Sequence, residues 1–269
     1  MEAREILRGS GILLSISSLP SPYGIGTLGK EAYSFVDLLS DLKQKYWQVL
    51  PVGPTIFGDS PYQPLSGFAG NIYFIDLDKL ADEGLLKKEE ILGYNWGADE
   101  SEIDYAALHQ SRYKILQKAF ERFDTNAQEF QDFVKKQSGW LEQYALFMTL
   151  KTDNLDKNWS EWSNEYRDLQ TVALENYQKK NYNKITFWKF CQYKFFEQWN
   201  DLKDYANSKG IYIIGDISFY VGYDSVDVWA DRQLFMMSAN DTPEYVAAAG
   251  PDKYSESGQV WGNPMYDWD

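Results

Sequence analysis

Carboxylates and aromatic rings are the groups with which this chain could do chemistry. The single histidine, His109, lies in a helical stretch, and the single cysteine, Cys191, lies on an apolar helical face. A serine or cysteine nucleophile needs an activating base beside it, and His109 is the one imidazole that could serve. No cluster has zinc-ligand spacing, and there is neither a Walker loop nor a strand-linked dinucleotide fingerprint. Gly24-x-Gly26-x-x-Gly29 has the fingerprint's spacing. No acidic residue ends a second strand where a ribose would be held, so these glycines are expected to form a tight turn into a helix at Lys30.

The remaining chemistry-bearing residues fall at three places. One is Gly58-Asp59-Ser60-Pro61-Tyr62-Gln63, the second is Gly215-Asp216, and the third is Ser257-Gly258-Gln259-Val260-Trp261-Gly262-Asn263-Pro264. Asp216 interrupts an apolar run. A carboxylate inside a buried strand must be hydrogen-bonded or paired. Two readings stand open: it accepts backbone amides at a strand end, or it points into a site and accepts ligand hydroxyls. Tyr62 fits a core or turn as well as a ligand-facing place. Trp261 reads as a loop residue outside any helical or strand stripe, and its indole suits exposure for binding. Aromatic faces can stack on the C–H faces of a pyranose, and they equally fill cores.

Three apolar runs could position these groups as buried strands: Gly11–Leu19, Tyr46–Val52 before Gly53-Pro54, and Ile211–Val221. Continuous runs of this length suit a parallel sheet covered on both faces. Lys30–Lys45 sets Phe35, Leu38, Leu39 and Leu42 on one helical face. Lys184–Ser208 does the same with Trp188, Cys191, Phe195, Trp199, Leu202 and Ala206, and Gly210 follows where helices commonly stop. Strand alternating with helix is the grammar of a parallel α/β sheet. From Leu77 to Asn183 the pattern is helical, with Tyr113, Leu116, Phe120 and Phe123 in one helix and Phe130, Phe133, Trp140, Tyr144 and Phe147 in others. The expected organisation is two βα units over 1–76, a helical insertion over 77–183, and a third βα unit with a site loop over 184–269. There is no internal repeat or low-complexity tract.

Composition narrows the partners. Of 269 residues, 44% are apolar and 25% charged, the mix of a globular chain. A net charge of −14 opposes nucleic acid, an anionic membrane surface or an acidic substrate. The N-terminus mixes Glu2 and Glu5 with Arg4 and Arg8, and Ile12–Ile16 is too short for a signal-sequence core. No run approaches the roughly 20 apolar residues that span a bilayer. With one cysteine and no internal disulfide, a cytoplasmic location is expected. Aromatics make up 17%, a figure that core packing alone could explain.

The motifs converge on a resemblance. Tyr46-Trp-Gln-Val-Leu-Pro-Val-Gly-Pro-Thr55 followed by Gly58-Asp-Ser-Pro-Tyr-Gln63 resembles the 4-α-glucanotransferases, also called amylomaltases or disproportionating enzymes, glycoside hydrolase family 77. Ser17-Ser-Leu-Pro-Ser-Pro-Tyr-Gly-Ile-Gly26 is similar to the family's first loop, and Trp140-Leu-Glu-Gln-Tyr-Ala-Leu-Phe147 to a helix of its insertion. Gly215-Asp216, Asp224-Ser-Val-Asp-Val-Trp-Ala230 and Gly258-Gln-Val-Trp-Gly-Asn-Pro264 extend the match over nearly the whole chain.

The resemblance implies an α/β fold, a (β/α)8 TIM barrel, with retaining transfer of α-1,4-glucan segments and no cofactor or metal. It implies that Tyr62 stacks on the sugar beside the cleaved bond and that Asp216 contacts that same sugar. Gln259 and Trp261 would line the acceptor side, and Asp59 and Ser60 join the substrate-binding set. Partners would be linear α-1,4-glucans: maltooligosaccharides, glycogen or starch. Ser218 departs from the proline the family often has after Gly-Asp-x, and Gly250-Pro251-Asp252-Lys253-Tyr254 departs from Pro-Pro-Asp-Tyr-Phe.

Retaining transfer needs a nucleophile and an acid/base carboxylate about 5–5.5 Å apart. The family's nucleophile lies in an Arg-Ile-Asp-His-Phe-Arg-like motif after the fourth strand, and 1–269 holds no such motif. Asp59, Asp224 and Asp227 are carboxylates without a setting that argues for the role. The sequence is therefore expected to hold the first three of eight barrel strands, to leave one apolar sheet face without neighbours, and so to be poorly soluble alone, to dimerise, or to need its own C-terminal half. The rival from another class is a non-catalytic α-glucan-binding protein.

Overall fold

The computed structural model describes residues 8–55, 59–99 and 101–268. They group into two compact units. One is drawn from Met1–Val52, Ile72–Phe123 and Lys194–Asp216, the other from Gly53–Asn71, Asp124–Tyr193 and Ile217–Asp269.

In the first unit β1 (Gly11–Leu13), β2 (Tyr46–Gln48) and β3 (Tyr212–Ile214) form a parallel sheet in the order β1-β2-β3. Ile12 pairs with Trp47, and Trp47 with Ile213. All three expected strands exist side by side, each much shorter than its apolar run. Leu14 N–H donates to the Gln48 carbonyl and Val49 N–H to the Ile214 carbonyl, both at 3.0 Å, and there the ladder ends. Beyond β1 the Ser15 hydroxyl accepts from the Ser17 amide and starts a 3-10 turn at Ile16–Ser18. Beyond β2 comes Pro51, which has no amide to donate.

The sheet is covered on one face and open on the other, in line with the expected apolar face without neighbours. Side chains alternate across a strand. Trp47 is 0% exposed, its indole N–H donating to the Leu14 carbonyl at 2.9 Å and its ring meeting Phe35 edge-on at 5.0 Å. On the other face Leu13 is 56% and Ile214 42% exposed. The covering helix Lys30–Asp41 buries Ala32, Val36 and Leu39 and ends four residues before the expected Lys45.

The turn before that helix behaves as expected. Gly24 has φ +76°, a Cβ on Gly26 would run into the Ile16 carbonyl, and one on Gly29 would run into the Asp76 carboxylate. Asp76 is buried, accepts from the Thr27 hydroxyl at 2.6 Å, and caps the helix Leu77–Asp82 through the Lys79 amide. The helix Tyr182–Ser208 runs two residues further back than its apolar stripe, and Gly210 follows it at φ +74°.

The described residues between 77 and 183 contain helices and no strand. In the second unit the helix Ser138–Asp153 packs Phe147 against Trp162 at 5.3 Å and Trp229 at 5.7 Å. Gln192 replaces a strand partner for Gly70, accepting from its N–H at 2.8 Å and donating to its carbonyl at 2.9 Å. Within the first unit Gln198 grips Asp76 in the same two-sided way. The second unit also holds an antiparallel pair, β4 (Val246–Ala249) and β5 (Gln259–Pro264), with a register shift between Val246 and Ala248. No helix among the described residues is long and apolar enough to cross a membrane.

Candidate functional site

The second unit gathers the segment 59–67, the stretch 217–227 and β5. Gly58 lies outside the described residues. Asp59 has φ +55°, a left-handed conformation that L-residues seldom adopt, and burial lifts its carboxyl above the usual aspartate range. The turn closes through the Gln63 amide to the Ser60 carbonyl at 3.3 Å, while the Ser60 hydroxyl accepts from the Tyr62 amide at 3.3 Å. Tyr62 at its tip is 46% exposed.

Neighbouring backbone holds the segment. Leu65 N–H donates to the Pro54 carbonyl, Gly222 N–H to Pro64 and Val226 N–H to Leu65. The Gly67 amide donates to Asp227 at 3.1 Å. The Ser218 hydroxyl lies 2.9 Å from the Tyr62 carbonyl and 2.8 Å from the Tyr220 carbonyl.

Trp261 belongs to β5, correcting the loop expected there. Ala248 pairs with Val260 and Ala249 with Gln259. The return is set by Gly258, at φ +75°, where a Cβ would press on the Ala249 carbonyl. The Trp261 indole is 44% exposed and its N–H donates to the Gln259 carboxamide oxygen at 3.0 Å. The Gln63 side-chain amide donates to the Trp261 carbonyl at 2.6 Å. The structure thus brings the turn of Asp59, Ser60 and Tyr62 to the strand of Gln259 and Trp261, and the residue that joins them, Gln63, was not singled out from sequence.

Asp216 is corrected in its setting. It lies two residues past β3, in the first unit, and is exposed. The apolar residues that follow it are exposed too, Ile217 at 72% and Phe219 at 78%, so the run beyond Gly215 is not a buried strand.

Two further carboxylates of the second unit have distinct settings. Asp224 is a structural support: it pairs with the Lys151 ammonium at 2.5 Å and accepts from the Trp159 amide at 3.2 Å. Burial raises the Asp227 carboxyl above its ordinary range, against the pull of the Gly67 amide. Close to β4, Tyr220, Met236, Tyr245, Ala247 and Met265 line a cavity of about 460 Å³. In the altered segment after β4, Asp252 accepts from the Tyr254 and Ser255 amides at 2.8 Å each, leaving the Tyr254 ring in solvent. Half-open rings framed by amides, carboxylates and hydroxyls suit a neutral ligand rich in C–H faces and hydroxyls.

The family model described as 4-alpha-glucanotransferase matches residues 14–269. The 4-alpha-glucanotransferase of Streptococcus pneumoniae serotype 4 is 45% identical over 267 residues, covering 97% of this chain and 52% of the relative. That of Thermus thermophilus is 41% identical over 270 residues, covering 98% and 53%. Among solved structures, the amylomaltase from Streptococcus agalactiae in complex with acarbose superposes with a TM-score of 0.92 at 41% identity, covering 98% of this chain and 54% of that one. The chain spans about half the length of the curated relatives it matches. Its α/β fold is like that of amylomaltase, with three parallel strands in the first unit. On a match running from Leu14 to the last residue given, this chain belongs to the 4-alpha-glucanotransferase family.

Proposed function

We propose that this chain supplies sugar-binding groups of a retaining 4-α-glucanotransferase, which transfers α-1,4-glucan segments between maltooligosaccharides in cytoplasmic starch, glycogen or maltodextrin metabolism. The observation that carries the reading is the pair of half-exposed residues Tyr62 and Trp261, whose backbone segments are joined by the Gln63 side chain bonding the Trp261 carbonyl. Tyr62 stacks on the sugar beside the cleaved bond. Trp261 and Gln259 line the acceptor side. Asp59, Ser60 and Asp216 offer hydrogen-bond partners to substrate hydroxyls. Residues 1–76 are the first two βα units of a (β/α)8 barrel, 77–183 a helical insertion, and 184–269 the third βα unit with its site loop.

The chemistry follows from the stereochemical outcome. A nucleophilic carboxylate holds the glycosyl part while an acid/base carboxylate protonates the leaving oxygen, then deprotonates the acceptor's 4-hydroxyl. Two of this chain's carboxylates have other work: Asp224 neutralises Lys151, and Asp227 holds the Gly67 amide. In this reading the nucleophile and acid/base are supplied from outside residues 1–269, and linear α-1,4-glucans are the partners.

The test is glucose release from maltotriose by the 269-residue chain. None above background is expected. Turnover that Asp59→Asn or Asp224→Asn abolishes would overturn the assignment of roles.

A further inference from the structure

Phe68, in the second unit, is a large apolar ring kept in water on a backbone that is held from both sides. It is 63% exposed, while Ser66 is 2% and Ala69 5% exposed. The Ser66 hydroxyl accepts from the Phe68 amide at 3.1 Å and from the Ala69 amide at 3.2 Å. Both backbone groups of Gly70 are taken by the buried Gln192 carboxamide. An exposed phenylalanine forgoes the gain of burial, yet the backbone beneath this one is ordered before any ligand arrives.

Trp140, of the same unit, lies beside it. The two rings are inclined by only 17°, with centroids 6.3 Å apart, the near-parallel, offset arrangement that aromatic pairs favour. The Trp140 indole N–H donates to the Gln137 side-chain oxygen at 2.9 Å, and its ring meets Tyr144, one turn further along the helix Ser138–Asp153, at 6.0 Å. The Tyr144 hydroxyl is 3.4 Å from the Gln192 side-chain amide, which also donates to the Gly70 carbonyl. One buried carboxamide thus reaches both the segment that carries Phe68 and the helix that carries Trp140.

A rigid, half-wet aromatic step suits a ligand that presents apolar C–H faces between hydroxyls, as each unit of a glucan does. Its ordering is already in place, so little of it falls to the binding step. Phe68 follows Tyr62 by six positions, a backbone reach of at most about 20 Å, which is the scale of an oligosaccharide and not of a single sugar. We infer that Phe68 and Trp140 form a second sugar platform, one that holds units of an α-1,4-glucan beyond those at Tyr62 and Trp261 and so makes binding depend on glucan length. The inference rests on the proposed reading of this chain as a binder of α-1,4-glucans.

The experiment titrates the 269-residue chain calorimetrically with maltotriose and with maltoheptaose. The variants are Phe68→Ala, Phe68→Tyr, Trp140→Leu and Tyr62→Ala. Phe68→Ala removes an exposed side chain and should leave the thermal midpoint near that of wild type. It is expected to raise the maltoheptaose Kd about three- to tenfold and to leave the maltotriose Kd unmoved. Tyrosine keeps the ring and should restore maltoheptaose binding. Trp140→Leu keeps apolar bulk without the indole face and should repeat the Phe68→Ala pattern; if it fails to fold, Phe68→Ala alone decides. Tyr62→Ala should weaken both probes. Equal losses for the two probes in Phe68→Ala overturn the inference, since the ring then acts on the whole site and not on added length. No loss for either probe, in a chain whose Kd does respond to Tyr62→Ala, overturns it as well and leaves the glucan reading standing. A wild-type chain that binds neither probe removes the glucan reading and the inference with it.

Discussion

Trp47 in the first unit and Trp261 in the second are the same residue type in the same backbone state, a strand, yet they are held in opposite ways. Trp47 is 0% exposed, its indole edge sunk against Phe35 and its N–H spent on the Leu14 carbonyl just past β1. Trp261 is 44% exposed, its N–H satisfied by Gln259 of its own strand and its carbonyl taken by Gln63. Burial places the first ring. Hydrogen bonds made by the backbone around it place the second and leave a face open. The two regions differ in the same sense. The sheet unit is organised by residues such as Trp47, Leu39 and Asp76 that water does not reach, whereas the turn of Tyr62 is organised by donors and acceptors at a half-wet surface.

The contrast is broken most directly at Trp47. Trp47→Ala should cost about 3–5 kcal/mol of stability, the range for truncating a fully buried tryptophan. The loss includes the hydrogen bond to Leu14 across the sheet. Denaturant midpoints would measure it. A cost under about 1 kcal/mol would mean the β1-β2-β3 sheet is not organised around this ring. Trp261→Ala should behave the other way. Its stability change should stay within about 0.5 kcal/mol, as for a surface position, while maltooligosaccharide binding weakens by about 1–3 kcal/mol as for loss of a stacking aromatic. A large stability loss with unchanged binding would make Trp261 a second Trp47 and dissolve the distinction.

Sequence reading reached the buried region better than the open one. The order and parallel pairing of the strands near Ile12, Trp47 and Ile213, the tight glycine turn before Lys30 and the helix stop at Gly210 are all visible in residue pattern. What apolar runs report is burial, and burial outlasts the hydrogen-bond ladder: Ile16, Leu19 and Val49 are buried outside any strand. That is why each strand came out shorter than its run. The hairpin of β4 and β5 was hidden for the converse reason. Val246–Ala249 is small and β5 carries Gln259, Gly262 and Asn263, so neither shows alternation, although a turn cluster ending in Gly258 before Val260-Trp261 is a usable cue. Asp216 was misjudged because an apolar neighbourhood in sequence was taken for an apolar neighbourhood in space; Ile217 and Phe219 are exposed. The contacts of Ser218 and Gln63 could not be seen, since they are made with residues 156 and 198 positions away.

The smallest effects sharpen the comparison through pH, because one carboxylate in each unit is shifted in the opposite sense. In the first unit Glu90 meets Arg122 with two bonds of 2.7 Å and accepts from the Lys87 amide, and these hold its pKa down to about 2. A depressed folded-state pKa contributes stability that is present above the unfolded value of about 4.5 and is lost as pH falls toward 2. The gap between wild type and Glu90→Gln should therefore be widest near neutrality and close across that window. It should be small, since the pair is exposed and salt-screened. In the second unit burial raises the Asp227 pKa. The stability tied to its protonated form is full below the ordinary aspartate value of about 3.9 and is lost as pH rises through the raised one. Asp227→Asn stays neutral and keeps an oxygen for the Gly67 amide, so it should gain on wild type as pH rises and match it in acid. Urea midpoints for the three proteins from about pH 2 to pH 7 would measure both curves. Opposite slopes are expected because the two carboxylates face opposite costs, an arginine gained by Glu90 and water lost by Asp227. If Asp227→Asn runs parallel to wild type throughout, Asp227 is solvated like any surface aspartate and the dry support beneath Gly67 is absent; if Glu90→Gln does, the Arg122 pair contributes nothing to the fold.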